Sequence, residues 1–229
     1  MSALEVRRLG TVPYLQALAL QRALVEERRA ERLPDLLLLL RHPPVITLGV
    51  KGDGGRSNVL ASTETLAALG VDVCETGRGG DVTYHGPGQI VGYPILDLRP
   101  DRCDVHRYVR DIEEVMIRVC GDWGIAASRI PGLTGTWVDS AKIGAIGIRI
   151  SRWITSHGFA FNVNTNLAHF GLIVPCGISD RGVTSLQKET GRVVNEDDVE
   201  GALVRHFVDV FDRTIVGTVG EVAAVGRRT

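Results

Sequence analysis

The chain has 229 residues, 44% of them hydrophobic and 23% charged, with a formal net charge of −1. That is enough sequence to bury a sizeable core, and the balance is that of a soluble globular protein, not of one built to coat nucleic acid. The longest apolar run, Leu36 to Leu40, is far below the roughly 20 residues of a membrane span. The first residues lack a signal-peptide pattern, and Cys74, Cys103, Cys120 and Cys176 include no C-x-x-C pair.

In chain order, Glu5 to Leu9 reads as a first strand. Pro13 opens a helix to about Arg32, with Leu15, Leu18, Ala19 and Ala23 on one side and a charged, solvated run from Glu26 to Arg32 on the other. Pro34 stops it, and Leu36 to Leu40 is a strand buried on both faces. His42-Pro43-Pro44 turns the chain into Val45 to Leu48, and composition makes Gly49 to Gly55 a mobile surface loop. Ser62 or Thr63 caps a short helix ending at Gly70, and strands follow at Val71 to Cys74 and Ile90 to Leu96. Asp104 caps a helix over Val105 to Trp123, with Val105, Tyr108, Val109, Ile112, Val115, Met116 and Val119 as its apolar stripe and Gly124 just past its end. Further strands are predicted at Thr136 to Val138, Lys142 to Ile150, Ile154 to Thr155 and Phe159 to Val163. Alternation in the second of these sets Ile143, Ala145, Gly147 and Arg149 on one face and Lys142, Gly144, Ile146, Ile148 and Ile150 on the other. Asn195 caps a last helix, Glu196 to about Asp212.

The stretch from Gly77 to Gln89 holds five glycines and one proline around Arg78, Asp81, Thr83 and His85. A surface turn needs one or two glycines. So many point to a backbone that something approaches closely, with amides free to bond it. Cys176 lies between Pro175 and Gly177, which break the strand beside it and place the thiol at a bend. A nucleophilic cysteine needs such exposure and a group that favours its thiolate. Lys142, the one cation in an otherwise aliphatic strand, is the candidate for that group, against the plain alternative of a strand-end lysine in solvent. His85 and His157, in Tyr84-His85-Gly86 and Ser156-His157-Gly158, suit a base, a polar contact or, least well, a metal ligand.

Together these residues form four motifs. Arg78-Gly79-Gly80-Asp81-Val82-Thr83-Tyr84-His85-Gly86-Pro87-Gly88-Gln89-Ile90-Val91-Gly92-Tyr93 resembles the signature of the lipoyl(octanoyl) transferases of lipoate synthesis. Lys142 to Arg149, Ser156 to Asn164 and Pro175-Cys176-Gly177 resemble that family's later motifs, in order. The resemblance implies the biotin/lipoate protein ligase fold, an α/β (α+β) architecture with a mixed β-sheet and packed helices. It implies one catalytic domain over residues 1–217, with 218–229 as a frayed tail. It also implies an activity: octanoyl transfer from acyl carrier protein, through a cysteine thioester, to a lysine of a lipoyl domain. The acceptors implied are the E2 subunits of 2-oxoacid dehydrogenases and the H protein of glycine cleavage.

By the same resemblance Cys176 is the nucleophile and Lys142 the residue that lowers its pKa. Arg78, Gly79, Gly80, Asp81, Val82, Thr83, Tyr84, His85, Ala145, Ile146, Gly147, Gly158, Phe159 and Ala160 line the acyl site. A cytoplasmic monomer is expected, with no cofactor, metal, nucleic acid or membrane. An acidic carrier needs a local basic patch, for which Arg149, Arg152 and Arg181 are the candidates. Two alternatives use the same features. One is an ATP-dependent lipoate or biotin ligase, which shares the glycine loop and the lysine; the other is a non-catalytic acyl-carrier-binding module.

Overall fold

The computed structural model of the protein describes residues 2–51, 53, 56–99, 101–174 and 181–220. Along the chain the elements are β1 (Ser2–Thr11), α1 (Tyr14–Arg29), β2 (Asp35–Arg41), β3 (Val45–Leu48), α2 (Thr63–Ala68), β4 (Asp72–Glu75), β5 (Thr83–His85) and β6 (Gln89–Ile95). They continue with α3 (Val105–Asp122), β7 (Ser128–Ile130), β8 (Leu133–Val138), β9 (Ala141–Ser151), β10 (Ile154–Asn162), α4 (Leu186–Thr190), α5 (Glu196–Phe211) and β11 (Arg213–Val219).

Eight strands form one sheet in the order β11-β1-β2-β6-β10-β9-β8-β7, and β4-β3-β5 form a small second sheet. Strand β1 runs parallel to both β11 and β2, whereas β2, β6, β10, β9 and β8 pair antiparallel, so the large sheet is mixed as expected. The five-leucine run is β2, an inner strand third in that order. Leu37 and Leu39 join the core under α3 and α5, while Leu36, Leu38 and Leu40 join the one under α1. A strand covered on both faces needs no polar alternation, hence the unbroken apolar run. Each such leucine contributes roughly 1.5–3 kcal/mol by leaving water.

Helix α3 follows its predicted stripe from Tyr108 onward, except at Val109. Asp104 accepts the Arg107 amide as N-cap, and Tyr108, Ile112, Val115, Met116 and Val119 are buried. Helix α1 departs from its prediction. Leu15 is 62% exposed, and the inward residues are Tyr14, Ala17, Leu18, Gln21 and Leu24. A tyrosine and a glutamine face inward because the space beneath this helix is partly polar, as the site shows. Strand β10 is continuous across Ser156-His157-Gly158, where two strands were expected. His157 takes the left-handed conformation (φ 56°), and its amide leaves the ladder to donate to Gln21 Oε1 at 2.8 Å. Strand β11 was not anticipated. It pairs with the first strand and runs two residues past position 217, setting Thr218 and Val219 opposite Val6 and Arg7.

Candidate active site

The two layers on the α1 face of the sheet enclose the site. Strands β6, β9 and β10 supply the floor, α1 one side, and the glycine-rich segment between β4 and β5 the roof. The glycines there serve backbone docking. The Gly79 amide donates to the Ile148 carbonyl of β9 at 2.8 Å, so the loop is hydrogen-bonded across the floor strand. Gly80 is left-handed (φ 86°), and a Cβ on Gly147 would meet Arg78 Cδ at 3.0 Å and the Gly79 carbonyl oxygen at 3.1 Å. The second glycine stretch joins in. The Gly49, Val50 and Lys51 amides donate to the carbonyls of Asp81, Arg78 and Gly80, and a Cβ on Gly49 would sit 2.2 Å from the Gly80 oxygen. The beginning of the surface loop read from composition is therefore part of the roof.

Between floor and roof lies a cavity of about 540 Å³. Arg78, Gly79, Gly80, Asp81, Val82, Thr83, His85, Ala145, Ile146, Gly147, Gly158, Phe159 and Ala160 all border it, together with Lys142. Tyr84 is the exception. Strand alternation turns it to the other side of β5, where its hydroxyl meets His169 Nδ1 at 2.7 Å and its ring packs on Phe170. The chain also brings in Tyr14, Lys51, Val91, Tyr93, Val105 and Val109. Val105 and Val109 were assigned to the apolar stripe of α3, and they are the part of it that faces open space instead of core.

Lys142 reaches the cavity through a register irregularity. Trp137 pairs with Lys142 but Thr136 pairs with Gly144, so Ile143 is an extra residue in β9. Such a bulge shifts the alternation by one. It sets Lys142 on the same face as Ala145 and Gly147 and not, as the unbroken period predicted, with Ile146 and Ile148. The ammonium then lies 4.7 Å from the Trp137 ring centroid, over which the Arg181 guanidinium also sits, at 5.7 Å. Segment 182–184 runs beside it, the Lys142 amide donating to the Gly182 carbonyl at 2.9 Å and the Thr184 amide to the Lys142 carbonyl at 3.0 Å.

Cys176 lies outside the described residues. The chain before it is tied down where the Val174 amide donates to the Asn58 carbonyl at 2.8 Å; the chain after it is tied down at Gly182. Of the other cysteines, Cys120 is buried in the α3 core with its thiol pushed up to about 12 by desolvation, and burial also raises that of Cys74.

The end of the cavity away from Lys142 is polar, and its histidines are held neutral. Burial lowers His42 to about 4, His85 to about 3 and His157 to about 4. His42 Nδ1 donates to the Val12 carbonyl at 2.6 Å, so its Nε2 accepts from the Tyr93 hydroxyl at 2.7 Å. His85 Nδ1 meets Gln89 Oε1 at 2.7 Å, Gln89 Nε2 donates to Asn162 Oδ1 at 2.9 Å, and Asn162 Nδ2 to the Thr184 carbonyl at 3.0 Å. That chain of side chains links His85 to the segment beside Lys142. Arg78, 7% exposed, is pinned by the Thr47 carbonyl oxygen at 2.6 Å and its hydroxyl at 2.9 Å. Asp81 accepts from Asn58 Nδ2 and from the Val82 amide, both at 2.8 Å, and so fastens the roof.

Compared with known proteins, residues 13–208 match the lipoyl protein ligase A/B catalytic domain. The chain belongs to this family. Within it, the chain is 53% identical over 218 residues to an octanoyltransferase of Myxococcus xanthus, aligning 93% of itself with 60% of that longer relative. To an octanoyltransferase of Caldicellulosiruptor saccharolyticus it is 54% identical over 210 residues, covering 91% of this chain and 88% of that one. The four motifs thus lead to the octanoyltransferase relatives they resemble. Among solved structures, a lipoate-protein ligase A bound with ATP superposes with a TM-score of 0.75 at 18% identity, over 94% of this chain and 89% of the other. That likeness establishes the shared fold.

Proposed function

We propose that this family member moves an octanoyl group from the phosphopantetheine thiol of acyl carrier protein to a lysine amine of a lipoyl domain, by way of a thioester on Cys176. The observation that carries the reading is the identity of about half of all aligned residues to proteins named octanoyltransferases. Support from the site is a cavity of about 540 Å³ bordered by Lys142 and, elsewhere, by histidines held neutral by burial.

The reaction has two steps. The Cys176 thiolate attacks the donor thioester carbonyl, the bond from carbon to the carrier sulfur breaks, and the carrier thiol leaves with a proton. The neutral acceptor amine then attacks the acyl-enzyme, an amide forms, the bond to the Cys176 sulfur breaks, and the amine's surplus proton passes to the enzyme. As an ammonium, Lys142 favours the thiolate, and as an amine it receives that proton. The incoming thioester is already activated, so ATP has no part. Ala145, Gly147, Gly158 and Ala160 put small residues among the apolar Val91, Ile146, Ile148 and Phe159 of the lining, which suits an extended acyl chain. The acceptors are lipoyl domains such as those of 2-oxoacid dehydrogenase E2 subunits and the glycine cleavage H protein.

The test is transfer itself. Octanoyl-carrier, apo lipoyl domain and enzyme should yield octanoylated lipoyl domain without ATP, and Cys176→Ala should not. Transfer that requires ATP and free octanoate would make the chain an adenylate-forming ligase. Carrier binding with no product would make it a binding module.

A further inference from the structure

A second cavity, of about 300 Å³, lies between α1 and the β9–β10 hairpin. Its lining mixes the apolar Leu18, Val25 and Ile154 with the charged Arg22, Glu26, Arg29 and Arg149. One residue, His157, borders both this cavity and the acyl cavity. Its placement is unusual for a strand residue. The left-handed backbone turns it out of the alternation that buries Phe159 and Phe161 in the opposite core, and it is 4% exposed. The Tyr93 ring stands edge-on to it at 6.4 Å, and its Nδ1 has no hydrogen-bond partner among the described residues. No step of the proposed transfer uses this imidazole.

We infer that His157 is the stop that limits acyl-chain length, a specificity-determining wall between the acyl cavity and the second cavity. The inference rests on the octanoyl-transfer reading. Register gives the scale. His157 pairs with Ile148, six residues along β9 from Lys142, and one of those is the extra residue Ile143 of the bulge, which leaves five regular steps. At about 3.3 Å per residue that interval is roughly 16 Å. An extended chain advances about 1.25 Å per bond, from a bond of ~1.5 Å and an angle near 111°. Seven bonds from the carbonyl to the methyl of octanoyl cover about 9 Å, leaving room for the thioester and its sulfur, whereas the thirteen bonds of tetradecanoyl take about 16 Å alone. With the imidazole gone, the second cavity would add length to the site, with Leu18, Val25 and Ile154 as the apolar contacts for a longer chain.

The experiment compares wild type with His157→Gly and His157→Asn, both compatible with a left-handed backbone. Two readouts are used: kcat/KM for carriers bearing 8-, 10-, 12- and 14-carbon chains, and Kd for the corresponding free saturated fatty acids, which needs no chemistry. Wild type should prefer eight to ten carbons. In the variants the ratio of the 14-carbon to the 8-carbon value should rise by about tenfold or more in both readouts, the scale on which apolar pockets discriminate methylenes. An unchanged ratio in folded variants overturns the inference, as does wild type binding the 14-carbon acid as tightly as the 8-carbon one. Failure of the transfer reading looks different: wild type then turns over no carrier of any length, while the Kd series still reports the wall.

Discussion

The two ends of the acyl cavity are built on opposite principles. At one end Lys142 shares the Trp137 ring with Arg181, two cations brought together beside the chain that leads from Cys176. At the other, His42, His85 and Tyr93 are buried, neutral and hydrogen-bonded, and the Arg78 guanidinium donates to the Thr47 carbonyl and hydroxyl. Under the proposed transfer, cations stand where a thiolate and a proton transfer would need them. The histidines stay neutral where an apolar tail would rest, because an imidazolium facing a methyl group would lose its hydration without return. A cavity can therefore be polar in composition and still accept an acyl chain, provided that its polar atoms are already satisfied or uncharged.

The largest effect should come from the charged end. Lys142→Met should lower transfer by orders of magnitude and slow alkylation of Cys176 at neutral pH, with the rate recovering as pH rises toward about 8.5, the value of an ordinary thiol. Lys142→Arg keeps the charge but not the proton acceptor, so it should retain part of the alkylation rate and lose transfer. Alkylation profiles unchanged in both variants would remove the contrast between the ends.

The roof ranks next. Gly80→Val puts a β-branched residue at φ 86°, and Gly49→Val places a carbon 2.2 Å from the Gly80 oxygen. Both should abolish most transfer, and both should lower the thermal midpoint, since the glycines hold backbone to backbone. Near-normal turnover in either would reduce the loop to a turn.

The neutral end should reveal itself through pH. Each of His42, His85 and His157 has its folded-state pKa lowered from 6.5, to between about 3 and about 4. The unfolded chain therefore binds more protons as pH falls below about 6.5. The stability these neutral imidazoles provide is complete above that value and is lost as pH drops toward about 4, at up to ~1.4 kcal/mol per pH unit for each histidine. Urea unfolding of wild type and His42→Gln between pH 7 and 4.5, with carboxylates common to both, should give a shallower decline in the variant. Parallel curves would mean that the histidine is charged in the fold.

The smallest effect concerns the carrier. Arg149, Arg152 and Arg181 do not form one patch. Arg181 sits at Trp137 beside Lys142, whereas Arg149 borders the second cavity, six regular steps beyond the bulge and roughly 20 Å farther along β9. Arg181→Glu should raise KM for octanoyl-carrier a few-fold, and more than for a small octanoyl thioester. Arg149→Glu should act less, a ranking that steady-state kinetics at two salt concentrations can check.

Much of this was legible in the sequence, for reasons that particular residues make plain. Five glycines in thirteen residues marked a close approach, although what approaches at Gly79, Gly80 and Gly49 is largely other backbone. The leucine run and the α3 stripe were readable because burial on two faces or on one leaves a simple period. Lys142 was found by its chemistry but put on the wrong face, since a single extra residue at Ile143 inverts a two-residue period and has no composition signal. Helix α1 misled because its inner face carries Tyr14, which borders the acyl cavity, and Gln21, which borders the second one. Strand β11 escaped because Asp212, and not a glycine, takes the left-handed cap position (φ 52°), so no turn signal separates it from α5.

The central claim is a covalent octanoyl-enzyme on Cys176, and intact-protein mass tests it most directly. Mixed with octanoyl-carrier and neither acceptor nor ATP, the wild type should gain one octanoyl mass that mild hydroxylamine removes. Added apo lipoyl domain should discharge it at least as fast as overall turnover, while Cys74→Ala, Cys103→Ala and Cys120→Ala behave as wild type. Cys176→Ala transferring octanoate at a comparable rate with no mass gained would contradict the account, because the acceptor lysine would then attack the carrier thioester directly.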